Sequence, residues 1–370
     1  MDLTELSNRI KGLFGKKRAR IGLDITSDTI VIVEIAKTRS GFALTNIAVA
    51  NTPINAVQDN EILDPSAVAE VVRALLDEYE IEATHALCAV AGQSTIVRPV
   101  RFPYMPESEL GEVIQYEAER YIPFSIDDVN ISFQAVNEVE EDGAPKVEVI
   151  LVAAQKALIN SYVQVAEEAG LKLACVDVAS FAVMRALAGT EQLKDDQTIA
   201  LVHIQGWTTD INIMVSGIPR FSRSIPIGYS YFLDSIINSL GLDEESARAV
   251  LDEIDVDPQN YSPGSPQVEQ ATEIIRPALA ELTGEIGRSL DFYLSQGTEA
   301  INRVILSGRG GNLNHLEQFL TTRLGMTVEL ANPFENLEIN EDDFDPELLL
   351  PQAPTLATAI GLAIRGAQGL

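Results

Sequence analysis

Residues 20–37 read RIGLDITSDTIVIVEIAK and residues 41–54 read GFALTNIAVANTPI. Both runs are rich in β-branched residues, which suit the pleated, half-buried surface of a strand. Thr26-Ser27-Asp28 breaks the first run and Ser40-Gly41 separates it from the second, so the chain opens as a meander of strands. From Pro65 to Tyr79 the period changes, with Val68, Val71, Val72, Leu75 and Leu76 on one helical face. HALCAVAG, residues 85–92, then returns to an extended, buried pattern, and the opening order is β-β-α-β.

Beyond Arg98 the texture shifts to PVRFPYMPESELGEVIQYEAERYIPF. Leu110, Val113, Ile114, Ala118 and Tyr121 predict an amphipathic helix bounded by prolines. A hairpin across Glu140 to Pro145, a helix from Lys156 to Ala169 and the strand LKLACVDV follow. After a short helix at Ser180–Leu187 and a polar break at 193–197, IALVHIQGWTTDINIMVSGIPRFSRSIPIG repeats the opening organisation. A mostly helical portion runs from Tyr229 to Thr298, interrupted by DPQNYSPGSPQ, and leads to a strand and glycine turn in RVILSGRGGNL. Glu335 to Pro354 reads as an acidic surface loop, and APTLATAIGLAIRGA as a closing apolar helix. The chain therefore divides into a basic amphipathic segment (1–19), a first lobe (20–98 and 178–197), an inserted α+β subdomain (99–177), a second lobe (198–233 and 299–370) and a helical subdomain over the cleft (234–298).

The 370 residues, 46% hydrophobic, suffice for more than one packed core. No apolar run reads as a membrane-spanning helix or a signal peptide, so a cytoplasmic location is expected. The net charge of −29 argues against nucleic-acid binding. That charge is uneven: the first twenty residues carry +4 and the remainder −33. In that segment Leu3, Leu6, Ile10, Leu13 and Phe14 recur at helical spacing, which suits an anionic membrane surface, a partner, or packing on the chain's own body. Cys88 and Cys175 lie in apolar runs and read as buried thiols; His85, His203 and His315 have no metal-ligand spacing. Serine-hydrolase and P-loop motifs do not occur.

Two β-rich halves joined by helices, with a late glycine turn, resemble the actin, sugar-kinase and FtsA superfamily: an α/β, two-lobed, ribonuclease H-like fold with an inserted small α+β subdomain. GLDITSDTIVIVEI, EAERYIPF, ILVAAQKALINSYV, EIGRSLDFYLSQ and VILSGRGG together resemble the PilM family of type IV pilus assembly proteins. The block EAERYIPF carries the most specific likeness. The resemblance implies a cleft for ATP or ADP with magnesium, bordered by Asp24, Thr26 and Ser27, by Gly206, Thr208 and Thr209, by Glu285 and Arg288, and by Ser307, Gly308, Gly310 and Gly311, with Asp24 as the metal-side acid. This chain departs from that pattern at Thr26 for Gly, Val31 for Lys, His203-Ile204-Gln205 for Asp-Ile-Gly, and Arg309 within the glycine run. Two or three contacts forfeited at roughly 1 to 3 kcal/mol each would take a micromolar site towards millimolar, so little or no ATP hydrolysis is expected.

The resemblance also implies a groove between the insert and the first lobe for the cytoplasmic N-terminus of PilN. Tyr116, Tyr121, Ile122 and Phe124 are its candidate lining, although the last three equally suit anchoring their helix to its sheet. By the same resemblance the protein is a scaffold at the inner membrane, joining PilN and, through it, PilO to the pilus motor ATPases and platform protein in pilus biogenesis, twitching motility and DNA uptake. An actin-like ATPase switch and an FtsA-like cell-division scaffold are the alternatives. The first needs an intact second acidic loop, and the second a C-terminal amphipathic helix.

Overall fold

The computed structural model describes residues 19–58, 60–194, 196–256, 265–297 and 299–369. The basic amphipathic segment, apart from Ala19, and residues 257–264 of the proline-bearing linker lie outside them.

The first half contains β1 (Arg20–Ile25), β2 (Thr29–Lys37), β3 (Phe42–Asn51), the short β4 (Val57–Gln58) and β5 (Glu61–Ile62), α1 (Pro65–Glu78), β6 (His85–Val90), β7 (Thr95–Pro103), α2 (Glu107–Glu117), β8 (Val129–Glu141), β9 (Ala144–Gln155), α3 (Lys156–Glu168), β10 (Lys172–Val178) and α4 (Ala179–Leu187). The second half contains β11 (Thr198–Ile204), β12 (Thr209–Val215), β13 (Ile218–Ile225), α5 (Tyr229–Leu240), α6 (Glu244–Glu253), α7 (Pro266–Ser295), β14 (Arg303–Ser307), α8 (Leu316–Leu324), β15 (Val328–Leu330), β16 (Leu337–Glu338), α9 (Pro346–Leu349) and α10 (Ala353–Gln368).

Among the described residues one sheet runs β10-β6-β1-β2-β3-β16 and another β13-β12-β11-β14-β15. In each, an antiparallel meander (β1-β2-β3, β11-β12-β13) is extended by strands parallel to its first member, β6 and β14. The internal repeat read from the sequence is therefore a repeat of topology.

Helix α10 lies between the sheets. Leu356, Ile360 and Ala363 pack on Val31, Val33 and Ile35, while Ala357 joins a cluster with Val183, Leu187, Ile199 and Ile305. Contact with β1 is close: a Cβ on Gly22 would stand 2.1 Å from the Ala359 carbonyl oxygen. Within Pro346–Gln368 an 18-residue window has a mean hydropathy of 1.3, so by length and composition the stretch could cross a membrane, contrary to the sequence expectation, yet 61% of that window is buried inside the fold. Glu335–Pro354 is also more ordered than a surface loop, because Leu337 pairs with Phe42 and adds β16 to the first sheet.

The third sheet, β7-β9-β8, is the insert, and it is shorter than the expected 99–177: α3 packs in the core of the first lobe and β10 pairs with β6, so residues 156–177 belong to that lobe. Alternation along β9 gives the insert sheet two apolar faces. Val147, Val149, Leu151 and Ala153 meet Leu110 and Ile114 of α2, whereas Ile150 and Val152 point to the opposite side with Val97 and Val178.

Candidate functional site

Two hairpin turns face each other where the halves meet: Thr26-Ser27-Asp28 between β1 and β2, and residues 205–208 between β11 and β12. Thr26 closes its own turn. Its hydroxyl accepts from the amides of Thr29 (3.0 Å) and Asp28 (3.3 Å) and donates to the Thr29 carbonyl (3.0 Å). The amides that a phosphate would meet are thus already engaged, by a side chain that glycine lacks. Val31 turns into the core beneath α10.

In the second turn Gln205 N–H donates to the Thr208 carbonyl (2.9 Å), and the Gln205 and His203 side chains meet at 2.8 Å. Burial lowers the His203 pKa to about 4, so the ring is neutral. The first amides of α5 are occupied too: Tyr229 N–H donates to the Gln205 carbonyl (2.8 Å) and Ser230 N–H to that of Gly206 (2.6 Å).

Direct contacts bridge the halves. The Ser27 and Ser230 hydroxyls are 3.1 Å apart, Ser230 donates to Asp28 (3.0 Å), and Arg248 lies 4.0 Å from the same carboxylate while also pairing with Glu244. Asn60 donates to Thr208 (2.9 Å), and Gly92 N–H donates to Asp210 (3.2 Å). Gly206 permits this approach, because a Cβ there would stand 1.7 Å from Ser27 Oγ. The space enclosed by Asp24, Thr26, Asp28, His203, Gly206 and Gly308 is about 10 Å³. That is room for about one water molecule.

Burial raises the pKa of Asp24 to about 7, and that of Asp28 is also raised by burial, opposed by Arg248. Asp28 Oδ2, His203 Nδ1, Gln205 Oε1 and Arg248 Nη1 are buried without a hydrogen-bond partner among the described residues. Nor do those residues gather three His, Cys, Asp or Glu side chains that could hold a metal. In this arrangement the residues do not fit a phosphate chain with magnesium: the volume is too small, the turn amides are taken, and of the two carboxylates lining the space Asp28 is already engaged by Ser230 and faced by Arg248.

Ser307 donates to the Pro354 carbonyl (3.1 Å), and Thr209 donates to that of Ile227 (2.7 Å). Gly308 has φ +82°, and a Cβ there would stand 2.3 Å from the Ile204 carbonyl oxygen. Arg309 stacks 4.8 Å over the Tyr229 ring and lies 3.8 Å from Asp252. Gly310 and Gly311 are buried beneath the turn. Glu285 and Arg288 are not brought to the facing turns; Glu285 accepts from Arg223 of β13 (2.7 Å) and from Arg288.

A second concavity, of about 600 Å³, lies between the insert and the first sheet. Asn130 and Ser132 of β8 and Val152 of β9 form one wall, Ala174 and Val176 of β10 the other, and Ile159 of α3 its floor. Among the described residues β8 pairs only with β9 and β10 only with β6, so both walls include a strand with an unpaired edge. Cys175 lies here, half-buried rather than buried as expected, while Cys88 is fully buried. Asp177 closes one end, bound by Arg185 (2.9 Å) and Arg365 (2.7 Å).

Tyr116, Tyr121, Ile122 and Phe124 do not line this groove. They belong to α2 and the segment after it, on the opposite face of the insert sheet. Ile122 is buried in that cluster, Tyr121 packs edge-on against Phe102 at 6.1 Å and Phe124 is partly buried, whereas Tyr116 is 84% exposed. Sequence reasoning missed Asp28, Asn60, Asp210, Ser230 and Arg248 at the turns and both strand edges of the groove. Asp28 alone was within reach, as an acid inside the turn that opens the fold.

The family described as type IV pilus assembly protein PilM matches residues 22–367. A solved PilM–PilN type IV pilus biogenesis complex contains a chain 28% identical, with a TM-score of 0.83 over 95% of this chain and 99% of that one. The ethanolamine utilization protein EutJ of Carboxydothermus hydrogenoformans is similar in fold, at 14% identity and a TM-score of 0.54 over 98% of each chain. The two-lobed architecture is the actin-like one, as the sequence led us to expect. The chain belongs to the PilM family of type IV pilus assembly proteins.

Proposed function

We propose that the protein is a scaffold of the pilus assembly platform that binds the cytoplasmic N-terminal segment of a PilN-type membrane protein in the groove between β8 and β10. The observation that carries this reading is the pair of unpaired strand edges around an apolar groove of about 600 Å³. An extended segment there gains main-chain hydrogen bonds from an edge and places alternate side chains in the apolar pocket. The similar chain at 28% identity comes from a complex with PilN. Through that partner the scaffold would reach PilO and the motor ATPases, peripheral to the inner membrane.

The facing turns take the place of a nucleotide in this reading. Admitting one would break at least the Ser27–Ser230, Ser230–Asp28 and Asn60–Thr208 bonds. At about 1 kcal/mol each, opening costs roughly 3 kcal/mol and weakens nucleotide binding about a hundredfold. Calorimetric titration with a synthetic PilN N-terminal peptide, with and without ATP and magnesium, tests both parts. Saturable binding unaffected by ATP is expected. Absence of binding would sink the groove assignment, and an ATP-dependent affinity or steady ATP turnover abolished by Asp24→Ala would restore the nucleotide switch.

A further inference from the structure

The start of β1 lies at the same end of its sheet as the start of β10, one wall of this groove. The Ala19 carbonyl accepts from the amides of Thr84 (3.0 Å) and His85 (3.2 Å), and the Thr84 carbonyl accepts in turn from Lys172 N–H (3.0 Å). Arg20, His85 and Lys172 form one register row across β1, β6 and β10. Lys172 is the first residue of the groove-lining edge strand, so Arg20 is two strand spacings, about 9.6 Å, from it. Leu13 and Phe14 precede Ala19 by six and five residues, and an extended chain of that length spans about 17 to 20 Å. They can therefore cross to the groove and enter it.

Residues 1–20 carry +4 against −33 for the rest of the chain, which attracts the segment to the body as a whole; at the groove itself Glu167 stands beside Lys172, and Asp177 is held by Arg185 and Arg365. Lys16, Lys17 and Arg18 would lie over that rim while the two apolar side chains reach Ala174, Val176 and Ile159. We propose that this chain's own residues 10–18, led by Leu13 and Phe14, dock in the groove between β8 and β10 and compete with the incoming partner segment. The proposal rests on the groove assignment above and makes the groove self-regulated: a partner gains access only to the fraction of molecules whose segment is displaced.

Cys175 supplies the readout, because it lies in the groove and Cys88 is fully buried. The full chain is compared with its Leu13→Asp/Phe14→Asp variant, both otherwise Cys88→Ala, by the rate of maleimide labelling at Cys175 and by titration with the PilN N-terminal peptide. Docking predicts faster labelling in the variant and about tenfold tighter peptide binding, as for a groove self-occupied about nine-tenths of the time. Equal labelling rates overturn the proposal. So does an unchanged rate with loss of sedimentation on phosphatidylglycerol vesicles, which would assign the segment to lipid. Faster labelling with no peptide binding to either protein sustains the docking and sinks the partner assignment alone.

Discussion

Gly206→Ala would strike the contact that closes the cleft. An alanine Cβ would stand 1.7 Å from Ser27 Oγ and 3.0 Å from both Ser27 Cβ and Ser230 Oγ. Gly206 does not have a positive φ, so the backbone accepts alanine and the cost is steric. The hydroxyl can rotate away, at the loss of the 3.1 Å bond to Ser230, worth about 1 kcal/mol. Relieving the remaining overlap costs about 1 to 3 kcal/mol more. We expect Gly206→Ala to destabilise the protein by about 2 to 4 kcal/mol.

Ser27→Ala removes the nearest obstacle and should cost only about 1 kcal/mol alone. In the double variant the two costs share a cause, so the sum of the single effects should exceed the measured double effect by about 1 to 2 kcal/mol. Urea unfolding followed by fluorescence suits the measurement, because the chain's single tryptophan, Trp207, adjoins Gly206. Additivity within about 0.5 kcal/mol would mean that the turns do not touch in solution, and the argument for a self-closed cleft would fail with it.

Asp24 gives a pH signature. Its folded-state pKa of about 7 lies above the ordinary 3.8, so the folded chain holds more protons between pH 4 and 7 and stability falls as pH rises through that window. Asp24→Asn should match wild type below about pH 4 and exceed it by about 2 to 4 kcal/mol above pH 7; thermal melts paired at each pH check this, with contributions of Asp210 and His203 cancelling in the difference. Ala174→Arg should abolish binding of the PilN peptide and leave the melting temperature within about 2 °C, since residue 174 lies half-buried in the groove wall; calorimetry with unchanged affinity would remove β10 from the interface. Gly22→Ala drives a Cβ into the backbone of α10 and should cost more than about 3 kcal/mol, read as loss of soluble expression or a fall in melting temperature.

The lobes were legible because their signals are local. The change from period 2 in RIGLDITSDTIVIVEIAK to period 3.6 at Pro65–Glu78 marks sheet against helix without tertiary information. The start of the insert was legible near Pro99, but its end was not, because nothing local to residues 156–177 shows that α3 packs in the first-lobe core and β10 pairs with β6. The face that carries the proposed groove was not legible, because aromatic residues drew attention to α2, whereas the alternation of Val149 and Leu151 against Ile150 and Val152 decides which side of the sheet that helix covers. β16 escaped notice for a related reason: two residues pairing with a strand almost three hundred positions away carry no periodicity of their own.

At the turns, the residues that the resemblance marks as departures find partners within the chain. The Thr26 hydroxyl takes the amides of Asp28 and Thr29, which makes the turn self-sufficient. Arg309 lines the cavity, but not as a free cation, because it stacks on Tyr229 and pairs with Asp252. Such exchanges are favourable for a protein that must keep its shape without a ligand, since an unmet buried donor or acceptor costs about 1 to 3 kcal/mol. Satisfaction is incomplete at Asp28 Oδ2, His203 Nδ1, Gln205 Oε1 and Arg248 Nη1, and of these four residues only Arg248 lies outside the two turn motifs. Arg248 lies 220 positions from the aspartate it faces, so only the meeting of the two halves shows why α6 carries a cation there.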